Sequence, residues 1–214
     1  MKINELTLNH KPMVLLADDQ RLVERIRRDC SQFIPIMKRY GYLYHGFREI
    51  AEYGIENPHQ FMAASRKVRR STHTPSHIQK KIDSYLSQMG FEALRGNSLF
   101  CTSNKGIAAY YGSLFYIFPI NGFKYTYCPT DDLYNSSMGR LKTQLADPLY
   151  TPENFVEEYG FKKTDLGKAI DYGYEIYIHG QFIALGRKKY RDLVEKTWPS
   201  NDVENFSYDY KPLE

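Results

Sequence analysis

The periodicity of the apolar residues changes once along this chain, and that change restricts the fold more than any single motif. In the first third, Leu22, Val23, Ile26, Cys30 and Phe33 recur at helical spacing behind Asp18 and Asp19, which predicts a helix with an acidic N-terminus. Pro35 is expected to end or kink it. Gly41 to Phe47 is short, tyrosine-rich and bounded by glycine, and reads as a strand. Residues 65–74, SRKVRRSTHT, read as an exposed basic loop. Thr74-Pro75 then opens a helix whose Ile78, Ile82, Leu86 and Met89 form one stripe, stopped by Gly90. Beyond Gly90 the period falls to two. Asn97 to Thr102, Leu114 to Phe118 and Phe123 to Tyr127 read as strands, with a short helix from Asn104 to Tyr111 ended by Gly112. Asp131 to Asp147 reads as a polar connection, and Thr151-Pro152 to Gly160 as a helix with start and stop signals. Tyr174 to Ile178 and Gln181 to Leu185 alternate around His179-Gly180 and predict a tight hairpin.

Helices followed by strands, without regular βαβ alternation, predict an α+β fold. The chain has no GxGxxG and no GxxxxGK[ST], so a nucleotide site would have to be built another way. A length of 214 residues suits one domain, with an N-terminal helical region over 1–40, a core over 41–198 and a peripheral tail over 199–214. The longest apolar stretches, such as Ser113 to Ile120, fall far short of the roughly 18 to 20 residues of a membrane span. Met1 to Pro12 has no continuous apolar core of the secretory type. Cys30, Cys101 and Cys128 are widely spaced without a CxxC, which leads us to expect a reducing, cytoplasmic location and no thiolate metal site. His73, His77 and His179 match no common zinc spacing, so no metal is expected. A net charge of +4 favours a polyanionic partner.

Three segments carry candidate chemistry. Tyr44-His45-Gly46 ends the first strand, where a histidine can donate to a ribose hydroxyl and a glycine lets a ligand approach the backbone, although a half-buried histidine beside a turn is the commoner case. Ser98 to Asn104 ends in Thr102 and Ser103 and feeds the small-residue helix 105–112, whose Tyr110 or Tyr111 suits stacking on an aromatic ring; a plain helix cap explains the same residues. Glu175 lies in the otherwise apolar strand Tyr-Glu-Ile-Tyr-Ile, on one face with Tyr177. Taken alone, it reads as a solvated strand residue.

In this order the segments resemble the core of the ADP-ribosyltransferase superfamily. His45-Gly46 is similar to the histidine version of the first-strand motif, and Phe100 and Tyr111 stand at the spacing of its tyrosine pair. Phe100-Cys101-Thr102-Ser103 resembles the Phe-x-Thr-Ser strand end of the arginine version, and Glu175 the catalytic glutamate of the late strand. The resemblance runs from about Gly41 to Leu185. Phe100 replaces the first tyrosine, Ala108 stands where polymerase-like members have serine, and Gly173 replaces the paired acid of arginine-modifying members. Ser98 to Pro119 also resembles bacteriophage proteins.

The resemblance implies split antiparallel sheets with N-terminal helices around an NAD cleft, and 41–198 as the catalytic core. It implies a toxin-like mono-ADP-ribosyltransferase, a glycosyltransferase, that cleaves the nicotinamide glycosidic bond of NAD and moves ADP-ribose to a protein or nucleic acid, with room for a neutralising partner. Glu175 and His45 would be catalytic. His45, Gly46, Phe100, Thr102, Ser103, Tyr110 and Tyr111 would hold NAD, with Thr102 and Ser103 supporting Glu175. Glu175→Gln is expected to abolish transfer while leaving folding and NAD binding largely intact. Arg66, Lys67, Arg69 and Arg70, and Arg187, Lys188, Lys189 and Arg191, are basic clusters that would suit a nucleic-acid acceptor or serve as solvated faces. The alternatives are NAD hydrolysis, phosphotransfer on RNA, or a non-catalytic protein on the same scaffold.

Overall fold

The computed structural model describes residues 13–14, 19–48, 59–65, 74–129 and 133–199, with backbone alone for 13–14 and 134–138. The basic cluster Arg66 to Arg70, His73 and the tail from 200 onward lie outside the described residues. Helix α1 (Asp19–Asp29) carries Asp19 in its first turn and buries Leu22 and Ile26. Pro35 does not kink it. A turn at Cys30 to Phe33 separates the helices, and Pro35 stands in the first turn of α2 (Ile34–Tyr40), where a missing N–H breaks no helical bond.

The remaining elements in chain order are β1 (Met13–Val14), β2 (Tyr44–Phe47), β3 (Gln60–Ala64), α3 (Ser76–Gln88), β4 (Leu99–Cys101), α4 (Lys105–Tyr110), β5 (Ser113–Pro119), β6 (Lys124–Cys128), α5 (Leu133–Ala146), α6 (Pro152–Tyr159), α7 (Leu166–Asp171), β7 (Glu175–His179), β8 (Gln181–Gly186) and α8 (Arg187–Thr197). They form an α+β fold with two antiparallel sheets, a five-stranded one in the order β1-β3-β8-β5-β2 and a three-stranded one in the order β4-β7-β6.

Two expectations are corrected. Tyr174–Ile178 and Gln181–Leu185 are not the arms of one hairpin: β7 pairs with β4 and β6, whereas β8 pairs with β3 and β5. At Gly180 (φ 124°) the chain crosses from one sheet to the other, held by Ser65 N–H donating to the Gly180 carbonyl at 2.7 Å. Alternation fixed the strands but not their partners. Residues 131–147 are not a polar connection either; α5 occupies most of that span because Leu133, Leu141 and Leu145 share a buried helical face.

The small sheet is buried on both faces, which is why β7 reads as nearly continuous apolar sequence. Cys101, Tyr127, Ile176 and Ile178 join the larger core with residues of the five-stranded sheet, α1, α2, α7 and α8. Cys128 and Tyr177 face a second core supplied by α3, α5 and α6. Trp198 closes the larger core, 1% exposed and 5.3 Å from the Phe118 ring.

Candidate functional site

Among the described residues, an isolated bridge joins β2 to the end of β4. Tyr44 N–H donates to the Thr102 carbonyl at 2.8 Å, and Thr102 N–H to the Tyr44 carbonyl at 3.1 Å. In an unbroken antiparallel ladder the next such pair would be Gly46 with Phe100, since both chains repeat their hydrogen-bonding direction every second residue. That pair does not form. The strands part, and His45 spans the opening, its Nδ1 lying 2.5 Å from the Phe100 carbonyl. The carbonyl is only an acceptor, so Nδ1 carries a proton and donates to it.

Glycine at position 46 answers to packing. A Cβ there would lie 2.0 Å from the Ala108 carbonyl oxygen and 2.8 Å from Gly112 N, while one on Gly112, at φ 142°, would lie 2.4 Å from the Phe47 carbonyl oxygen. Backbone meets backbone where α4 ends against β2. The Gly46 peptide edge is thus directed into the opening while its Cα face is sealed by the end of α4.

Asn104 caps α4, its Oδ1 accepting from Gly106 and Ile107 N–H. Thr102 donates its hydroxyl to the Gly173 carbonyl at 2.9 Å and accepts from Asn104 N–H at 3.1 Å. Ser103 donates to the Ile170 carbonyl. These hydroxyls clamp the segment leading into β7 and do not bond the Glu175 carboxylate itself. Tyr110 is exposed, and Tyr111, half-buried, lies under the Arg48 guanidinium at 5.8 Å.

Glu175 is not a solvated strand residue. It is 7% exposed, shares its face of β7 with Tyr177 and lies across from Cys128. Its Oε1 is 3.5 Å from Nη1 of Arg95, and its Oε2 accepts from Leu133 N–H, at the start of α5, at 2.7 Å. Arg95 also donates from Nη1 to the Tyr177 hydroxyl at 3.3 Å and lies over the rings of Phe100 (5.1 Å) and Tyr177 (5.7 Å). Phe100 pairs with Tyr177, with ring centroids 5.0 Å apart. Burial pushes the Tyr177 hydroxyl well above its ordinary value, Arg95 opposing and Glu175 adding to the effect. Burial likewise raises the Cys128 thiol, with Glu175 adding to it.

Sequence reasoning missed Arg95 and the Leu133 N–H. The one available signal was an arginine within Phe91-Glu-Ala-Leu-Arg-Gly96, an otherwise weakly polar turn before a strand. No group of three or more His, Cys, Asp or Glu among the described residues is arranged to hold a metal ion, and no described helix is long and apolar enough to cross a membrane. No family model, curated protein or solved structure matches the chain.

Proposed function

We propose that this chain is an NAD-dependent ADP-ribosyltransferase acting on a macromolecular acceptor. The observation that carries the reading is the opening between β2 and β4. There, the Gly46 peptide edge and the His45 imidazole border Phe100, and Phe100 pairs with Tyr177, two residues from Glu175 on the same strand face. The β2–β5 register turns the Gly46 N–H and C=O away from β5, in the geometry that binds a carboxamide such as nicotinamide. Phe100 supplies a flat ring, and Tyr111, whose backbone abuts Gly46, a second.

In the reaction the bond between nicotinamide nitrogen and ribose C1′ breaks, and nicotinamide leaves with the electron pair. The acceptor's nucleophile bonds to C1′ and loses its proton. Positive charge builds on the ribose between these events, and a fixed carboxylate stabilises it. An ionised carboxylate has about four acceptor sites, so Glu175 can keep its Arg95 and Leu133 contacts and still accept from a ribose hydroxyl. Buried free cysteines at 30, 101 and 128 fit a cytoplasmic setting.

A second reading is favoured by one observation: both Glu175 oxygens are already engaged and the residue is nearly buried, as in a structural ion pair of a non-catalytic protein on this scaffold. Incubation with NAD labelled in the adenylate and lysate, followed by separate protease and nuclease digestion, tests both readings. Label in one macromolecular fraction, with nicotinamide released in step, supports transfer and names the acceptor class; free ADP-ribose alone indicates hydrolysis. Nicotinamide release indistinguishable from the protein-free control would sink the proposal and leave the structural reading.

A further inference from the structure

We infer that Arg95 is the positioning residue of Glu175, an inference that rests on the transferase reading above. Arg95 lies in the turn Leu94 to Asn97, closed by Asn97 N–H donating to the Leu94 carbonyl at 3.3 Å and Leu94 N–H donating to Asn97 Oδ1 at 2.7 Å. The turn is fastened to α3, where Asp83 Oδ1 accepts from Gly96 N–H at 3.2 Å. A Cβ on Gly96 would lie 2.4 Å from Asp83 Oδ2, so a larger residue there would push the carboxylate aside.

From this anchored turn the guanidinium enters the core, with its side chain 6% exposed. Two ring faces, Phe100 and Tyr177, restrict its plane, and the Tyr177 hydroxyl and Glu175 Oε1 share Nη1. The cation is thus held by two ring faces as well as by Glu175, and Glu175 is oriented by a cation that the rings already place. Leu133 N–H fixes the other oxygen. A carboxylate held at both oxygens has one orientation, which is what stabilising a charge at a defined atom of a bound substrate demands. Phe100 belongs to both assemblies: its carbonyl accepts a hydrogen bond from His45 Nδ1 and its ring carries Arg95. The opening and the carboxylate are therefore set relative to one another through one residue.

Arg95 touches neither NAD nor acceptor in this account, so its loss acts on kcat and spares KM. The test is steady-state nicotinamide release by wild type, Arg95→Met and Arg95→Lys, with Leu86→Ala, a cavity in the same helical layer, as the structural control. A misplaced carboxylate predicts a fall in kcat of about 100-fold for Arg95→Met, with KM for NAD within about threefold. Arg95→Lys keeps the charge but not the planar fork, and is expected to recover part of the activity, with kcat about three- to tenfold below wild type. Where Arg95→Met does not fold, Arg95→Lys carries the test through its kcat loss at unchanged KM. Two results would overturn the inference: kcat within twofold of wild type in the folded Arg95 variants, or a fall in both constants matching Leu86→Ala. An inactive wild type removes the transferase reading itself, whereas an active wild type with indifferent Arg95 variants removes this inference alone.

Discussion

Replacing Glu175 by Gln preserves volume and leaves an oxygen to accept from Leu133 N–H, but it puts a neutral amide where a carboxylate lay 3.5 Å from the Arg95 guanidinium. The side chains are 6% and 8% exposed, so solvent screening removes little of the effect. Leaving one member of a buried pair without its counter-ion costs about 3–5 kcal/mol. The remaining contacts of Arg95 with the Tyr177 hydroxyl and two ring faces soften the loss, which places the expected cost near 3 kcal/mol. Urea unfolding at pH 7 can be followed by the fluorescence of Trp198, the single tryptophan, which is fully buried. Arg95→Met and the double variant complete a cycle in which the double variant is more stable than either single one, with a coupling of at least about 2 kcal/mol. A Glu175→Gln midpoint equal to wild type, with coupling within about 0.5 kcal/mol, would refute the argument that each group neutralises the other. The sequence alone predicted that this substitution leaves folding largely intact; with Arg95 in place, a loss of activity counts as chemical only after the variant is shown to be folded at the assay temperature.

Further outcomes are expected. Gly46→Ala forces a Cβ against the backbone of Ala108 and Gly112, which cannot shift cheaply, and should destabilise by about 3 kcal/mol or prevent folding; an unchanged urea midpoint would contradict the contact. Burial pushes the Cys30 thiol up to about 12 and raises those of Cys101 and Cys128, so Ellman's reagent at pH 8 should modify none of the three until denaturant is added; rapid native labelling would argue against their burial. Hydrogen bonds from Tyr150 and Gln144 hold the Glu158 carboxyl below its ordinary value, so its contribution is present at neutral pH and is lost as pH falls through the folded value. Glu158→Gln should accordingly lose less stability than wild type between pH 7 and pH 3, and parallel losses would remove this cause.

Local order was largely legible in the sequence because its signals are local. Asp19, Asn104, Thr151 and Gly160 mark helix ends where expected. Strand alternation also put Glu175 and Tyr177 on one face. Partnership was not legible. The same alternation fits a hairpin and a crossing between sheets, and Gly180 with Ser65 decides between them through a contact distant in sequence. Likewise α5 is built from sparse leucines in a polar run, and only the packing of Leu133, Leu141 and Leu145 in the second core gives it a face. Arg95 escaped notice because a charged residue in a turn reads as solvent-facing until α3, β4 and β7 close over it.

The joint at Thr102 has a consequence for how the chain reaches its native state. Its backbone needs Tyr44 and its hydroxyl needs Gly173, which is 71 residues away, so no short segment can satisfy it. Contacts of such separation carry a large loop-closure entropy and are slow to form. Either sheet can gather its own strands beforehand, but the opening beside Phe100 comes into being only when the two are joined. The candidate site is thus among the last features to assemble, and neither half of the chain should contain it.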